Sequence, residues 1–264
     1  NTVIAVTEPE ISKIITQLQV HDDESVTDDN GHKGYDLFFQ EVRDKANQNT
    51  LRREKHLTSQ NYHSNTALAI VFNTENQFVS SVEFRQVIDM LMDDQKIIDQ
   101  RYGSGMAIDL TGPFNPNIGV LDNTLKDRTG TTSEIRTKLE SQGFIFRDDV
   151  LWWIDPATGK KTEVKLRLLY NNQYATPFSP EKKVLENMEK EFKEKAGISL
   201  SFDPVDRRNF GKKLTSKTGW DMALRKFTFG WSGNVSRIIR SDNTANHSSY
   251  SSAILDRYID DFIN

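Results

Sequence analysis

Five histidines, several pairs of adjacent aspartates, one glycine-rich run and one tryptophan-led polar segment are the residues here most able to do chemistry. Histidines suit metal binding and proton transfer. His21, His32, His56, His63 and His247 stand neither at H-x-x-x-H spacing nor beside a carboxylate in a metal pattern. They are expected in loops or facing solvent, and no metal site is expected. The run DDNG (28–31) hints at a calcium loop. Placing Gly31 sixth puts Val26 first and Leu37 twelfth, and neither side chain can ligate calcium. Asp93–Asp94, Asp148–Asp149 and Asp260–Asp261 are adjacent pairs. Neighbours on a helix diverge by about 100°, so such pairs suit caps, turns and solvated faces better than acid–base work. No G-x-S-x-G nucleophile elbow is present.

The glycine-rich run is YGSGMAIDLTGPF (102–114), and a phosphate cradle is the chemistry to test. Such a cradle needs its glycines to lead into a helix, whose N–H groups and dipole face the anion. Here DDQKIIDQRYG reads as a short helix that ends at Gly103, so the order is reversed, and the Lys-Ser/Thr ending is missing. The glycines are expected to serve backbone geometry. WSGN (231–234) follows a strand pattern. A tryptophan at a strand end followed by small polar residues suits a ligand cleft beyond the carboxyl ends of α/β strands. A half-buried core tryptophan is the other reading of the same pattern.

The elements that must position these residues alternate. NTVIAVTE (1–8) reads as a strand and EISKIITQLQ as a helix led by Pro9. Residues 21–66 read as a polar surface excursion with one helix, YDLFFQEVRDKAN, striped by Leu37, Phe38 and Val42. ALAIVFN (67–73) reads as a strand covered on both faces. A helix follows, with Phe84, Val87, Ile88 and Leu91 inward and Ser80 or Ser81 as cap, then a short one capped by Asp93 or Asp94. SEIRTKLESQGF predicts a helix stopped at Gly143. Strands follow around the turn DPATGK, with Val164, Leu166 and Leu168 on one face. Ser179 and Pro180 open a long helix striped by Val184, Leu185, Met188 and Phe192 and closed by Gly197. A strand over GISLSF, another over WDMALRKFTFGW and a helix over ILDRYIDDFIN complete an α/β pattern.

Of 264 residues, 36% are hydrophobic and 27% charged, as in a globular protein. The 34 basic and 38 acidic side chains are well mixed, which argues against a nucleic-acid partner. With no cysteine, thiolate catalysis, zinc–cysteine sites and disulfides are excluded. No run approaches the ~20 apolar residues of a membrane span. Asn1 in place of methionine and the open helical ending lead us to expect a piece of a longer chain, with any signal peptide or lipid anchor outside it.

Several pieces in this order resemble one family. LAIVFNTENQFVSSVEFRQVIDMLMDDQKII, YGSGMAIDLTGPFNPN, EIRTKLESQGFIFRDDVLWWIDPATGKKTEVKLRLLYN, AGISLSF, WDMALRKFTFGW and HSSYSSAILDRYIDDFIN are similar to motifs of the extracellular solute-binding proteins of family 5. These are peptide, nickel and oligopeptide receptors of ABC importers. The resemblance covers roughly residues 67–264. It implies a periplasmic-binding-protein-like (type II) α/β lobe, a mixed sheet with helices on its faces. Residues 1–20 would lead into that lobe and 21–66 would be an insertion. It also implies a monomeric, non-enzymatic receptor without a cofactor, periplasmic or extracellular and open to lipoprotein anchoring. The lobes would close on a peptide or small solute and dock on a membrane permease. The implied ligand-binding residues are Trp231, Ser232, Gly233, Asn234 and Arg237. In peptide-binding members W-x-x-D places an aspartate near the peptide amino terminus. Asn234 stands there in this chain, which weakens the case for a free-amine peptide. Arg237 and Arg240 could meet an anionic group. A motif-free hydrolase and a sensor reusing the same lobe are the competing classes.

Overall fold

The structure, a computed structural model, describes residues 3–6, 37–40, 66–99, 107–110, 112, 129–177, 179–229 and 234–263. The chain divides into two compact units, residues 1–62 with 98–108 and residues 63–97 with 109–264. In the first, β1 (Val3–Val6) pairs in parallel with β2 (Leu37–Gln40), Val3 opposite Leu37. The strand at 37–40 corrects the helix expected over YDLFFQEVRDKAN. A short apolar run such as Leu-Phe-Phe fits either period, and pairing with β1 decides for strand. The helix expected after Pro9, and the stop at Gly103, lie outside the described residues.

The second unit runs β3 (Thr66–Phe72), α1 (Val82–Leu91), α2 (Asp94–Ile97), α3 (Thr132–Ser141), β4 (Phe144–Arg147), β5 (Val150–Ile154), β6 (Lys161–Glu163), β7 (Lys165–Asn171), a 3₁₀ turn (Asn172–Ala175), α4 (Pro180–Ala196), β8 (Ser199–Val205), α5 (Arg207–Ser216), β9 (Met222–Thr228), α6 (Ser236–Ile239) and α7 (Ala253–Ile263). Its main sheet has the order β3-β9-β7-β8. β7 is parallel to both β8 and β9, and β3 is antiparallel to β9. The mixed sheet with helices on its faces agrees with the α/β expectation.

Burial on both faces falls on β7, where Leu166, Leu168, Leu169, Tyr170 and Asn171 are all buried. β3 was the strand expected to be doubly covered. It ends the sheet order, and Ala67 alone among its residues is buried. On one face Leu166, Leu168, Met222 and Leu224 meet the stripes of α1, α3 and α4, namely Phe84, Val87, Ile88, Leu91, Ile135, Leu139, Val184, Met188 and Phe192. Each large apolar side chain buried this way contributes about 1.5–3 kcal/mol. On the other face Leu169 and Ala223 meet Phe210, Leu214 and Trp220. α5 was not anticipated. Asp206 caps it, accepting from the Arg208 and Asn209 N–H groups, and its inward stripe is only Phe210 and Leu214.

Local signals place the helix ends. Ser81 accepts the Phe84 N–H, and Asp93 accepts the Lys96 N–H. Thr131 and Glu134 form a reciprocal capping box. Ser179 precedes Pro180 as expected, but its hydroxyl bonds the Glu181 carboxylate, so it caps no N–H group of α4. β4, β5 and β6 form a separate antiparallel sheet, joined to the core through Phe78, Phe84, Phe144 and Trp153. Gly197 ends α4 at φ +62°, and a Cβ there would lie 2.9 Å from Asp149 O and Leu151 N. Glycine is required by both conformation and space.

Candidate functional site

The parallel strands give the sheet an amino end and a carboxyl end, and the chain equips them differently. At the amino end a polar knot joins β3 to β9. Asp221 is buried, its carboxylate accepting from the Arg167 N–H at 2.6 Å, the Arg167 guanidinium at 3.2 Å and Asn76 Nδ2 at 2.8 Å. The Asn73 amide donates to the Lys217 and Trp220 carbonyls at 2.8 and 3.1 Å. Trp220 Nε1 donates to the Lys213 carbonyl at 2.9 Å. Trp220 is therefore a core residue.

At the carboxyl end β9 runs on past its pairing with β7, which ends at Tyr170 opposite Leu224. Alternation sends Lys226 to the α4 side and Arg225 to the α5 side. Lys226 pairs with Glu181 at 2.5 Å and lies over the Tyr174 ring at 5.6 Å. Burial pushes the Glu181 carboxyl up, but Lys226 and Ser179 together hold it below the usual carboxylate range. Arg225 is half-buried, with its guanidinium 4.4 Å from the Phe227 ring centroid. Burial lowers its pKa, as does the charge of Arg237, while Tyr174 acts in the opposite sense.

Of the expected ligand-binding residues, Trp231, Ser232 and Gly233 lie outside the described residues. Asn234 is exposed beside α6, and its Oδ1 accepts the Ser236 N–H at 2.9 Å. Arg237 is exposed on α6, within electrostatic reach of Arg225. Arg240 is occupied by Asp242 at 2.8 Å and by Asp260.

Arg225 and His247 were not singled out as binding residues. The signal for Arg225 was a pair of charges, Arg225 and Lys226, inside the otherwise apolar MALRKF. His247 is in a loop, as expected, and is half-buried. Its Nδ1 is buried without a hydrogen-bond partner. Burial first, then Arg225 and Lys217, lower its pKa to about 4. The segment is anchored on both sides of the ring. Asn246 donates to the Ile239, Arg240 and Tyr250 carbonyls, and Thr74 donates twice to the Ser248 carbonyl. Among the described residues no group of three His, Cys, Asp or Glu could hold a metal ion. None of the described helices is long and apolar enough to cross a membrane.

A family model, bacterial extracellular solute-binding proteins, family 5 Middle, matches residues 8–249. No curated protein matches the sequence. Among solved structures, the chain is similar to the ABC transporter substrate-binding protein CtaP from Listeria monocytogenes. The TM-score is 0.64 at 18% identity, covering 93% of this chain and 44% of that one. It is also similar to the oligopeptide-binding protein AppA from Bacillus subtilis, solved with a nonapeptide. There the TM-score is 0.62 at 13% identity, covering 96% and 46%. A nickel ABC transporter protein from Bacillus halodurans gives a TM-score of 0.65 at 17% identity, covering 83% and 43%. The fold is that of these substrate-binding proteins, and the chain spans less than half the length of each.

Proposed function

The chain belongs to the bacterial extracellular solute-binding proteins, family 5, and from that premise we propose that it forms the ligand-binding lobe of a receptor feeding an ABC importer. In this reading residues 67–264 make the lobe, 1–20 lead into it and 21–66 are a polar insertion. The solute is a peptide or a related small molecule. It sits beyond the carboxyl ends of the parallel strands, where α/β sheets present their loops, against Trp231, Ser232, Gly233, Asn234 and Arg237. Lobe closure by a hinge holds it, and the closed monomer docks on a membrane permease. No covalent step is needed. The receptor works outside the cytoplasm, free or held by a lipid anchor.

The observation that carries this reading is the contrast between the sheet's ends. The amino end is closed by the Asp221 knot, whereas the carboxyl end exposes Asn234 and Arg237 next to a half-buried arginine. The test is calorimetry of the full-length protein against a peptide library, with the peptides recovered afterwards by mass spectrometry. Receptor function predicts saturable binding and intact peptides, with binding more than tenfold weaker in Trp231→Ala as a stacking face is lost. Cleaved peptides would favour the hydrolase class instead.

A further inference from the structure

The helices α4 and α5 cover opposite faces of the main sheet, and they handle charge differently. α4 carries five glutamates and five lysines. It pairs Lys183 with Glu186 at 3.0 Å and Lys195 with Glu191 at 2.7 Å. α5 carries Arg207, Arg208, Lys212 and Lys213 and no acidic residue. The carboxylate just before it, Asp206, is occupied as its cap. Lys213 pairs with Asp203 at 2.5 Å. Arg207, Arg208 and Lys212 are exposed. Among the described residues none of the three has a carboxylate within ion-pair distance.

Two features of α5 weaken the helix and are required by nothing inside the chain. Arg208 and Lys212 stand one turn apart, where like charges repel. Gly211 sits in the helix interior, where glycine is less favourable than alanine. A Cβ at Gly211 would meet nothing within 4 Å, and its φ is not left-handed, so neither space nor conformation demands glycine. Phe210 and Leu214 seat the other side of α5 on the sheet. Helical spacing then turns Arg208, Gly211, Lys212 and Thr215 outward together, and all four are exposed. No large apolar side chain is exposed on α5. The outcome is a low face of small residues carrying long cations, a shape suited to a plane of anionic groups.

We propose that α5 is a membrane-contact surface, adsorbing to anionic phospholipid headgroups through Arg207, Arg208 and Lys212. Guanidinium forks and an ammonium group match phosphate oxygens. Clustered cations are drawn to a negatively charged bilayer within a Debye length, about 10 Å at 0.1 M ionic strength. With no exposed apolar side chain to insert, α5 stays at headgroup depth. The whole chain has a net charge of -4, so a negative bilayer repels it on average and the attraction is local to this face. Contact therefore orients the lobe, with α5 toward the bilayer and α4 away from it. For a receptor that feeds a membrane importer, such contact keeps it close to its partner. The surface itself needs no solute, so it goes beyond the receptor reading.

The test is co-sedimentation of the full-length protein, produced with no lipid attached, with phosphatidylcholine vesicles that contain or lack phosphatidylglycerol. The expected result is binding to the phosphatidylglycerol vesicles that falls as salt is raised, with none to the neutral vesicles. A variant combining Arg207→Gln, Arg208→Gln and Lys212→Gln should bind at least tenfold more weakly. A second variant combining Lys183→Gln, Lys190→Gln and Lys193→Gln removes the same charge from exposed positions on α4. It should bind within threefold of wild type. Thermal melts confirm that both variants fold. No binding to the phosphatidylglycerol vesicles overturns the proposal, and so does equal binding to neutral ones or an equal loss in the two folded variants. Binding to immobilised polyglutamate without binding to vesicles also overturns it and gives the face to an acidic protein. The wild-type vesicle comparison decides even where a variant fails to fold. Peptide calorimetry separates the two readings. Vesicle binding without peptide binding would leave the surface and remove the receptor, and the converse would leave the receptor and remove the surface.

Discussion

At the amino end of β9 the chain buries Asp221, and four positions later it half-buries Arg225. Both groups leave water. Asp221 receives the Arg167 N–H, the Arg167 guanidinium and the Asn76 amide, so its desolvation is offset by hydrogen bonds and a counter-charge. Arg225 receives a ring face and a neighbouring arginine's repulsion. One end of the sheet is finished by the chain itself, and toward the other Arg225 has no counter-charge among the described residues. Stability is expected to concentrate at the first end and recognition at the second. Substitutions should separate the two properties.

The largest expected effect is at the finished end. Asp221→Ala strands the Arg167 N–H, the Arg167 guanidinium and the Asn76 amide, and should lower unfolding free energy by about 3 kcal/mol. Urea denaturation checks this, and a loss under about 1 kcal/mol would mean the knot is ornamental. Gly197→Ala should cost about 2 kcal/mol, because φ +62° and a Cβ 2.9 Å from two backbone atoms are both unfavourable. Its melting temperature should fall while ligand affinity holds.

The third effect depends on pH. His247 titrates near 4 in the folded chain, below its ordinary 6.5. Between those values the unfolded imidazole binds a proton that the folded one refuses. Stability contributed here is therefore present above pH 6.5 and is lost as pH falls through the window to about 4. His247→Gln should flatten that part of the stability–pH curve, and an unchanged slope would remove the burial argument. The smallest effect on stability belongs to Arg225→Gln. Unfolding free energy should move by less than about 0.5 kcal/mol or rise slightly, because an unpaired cation is removed. A large loss would show that Arg225 is structural.

Much of the scaffold was legible because local patterns agree with the packing. The stripe of Phe84, Val87, Ile88 and Leu91 defines α1, and Pro180 with Gly197 brackets α4. α5 escaped because two apolar residues among lysines and arginines give a weak period, although Asp206 announced its cap. Leu37–Gln40 was misread because a run that short carries no decisive period, and its partner β1 lies far off in sequence. The site was less legible still. The motifs FN at Phe72-Asn73 and WD at Trp220-Asp221 could be quoted separately. Their meeting across the sheet, with Asn76 bonded to a residue 145 positions away, is a tertiary fact. Arg225 and His247 show no spacing of their own, and the influence of one on the other follows only once β9 and the loop after α6 are placed.

The most direct test of this division is native mass spectrometry of the full-length protein purified from its own host, wild type beside Arg225→Gln. The account predicts wild type carrying a bound solute, and an equally stable variant that retains less of it. A solute retained equally by wild type and variant would contradict it.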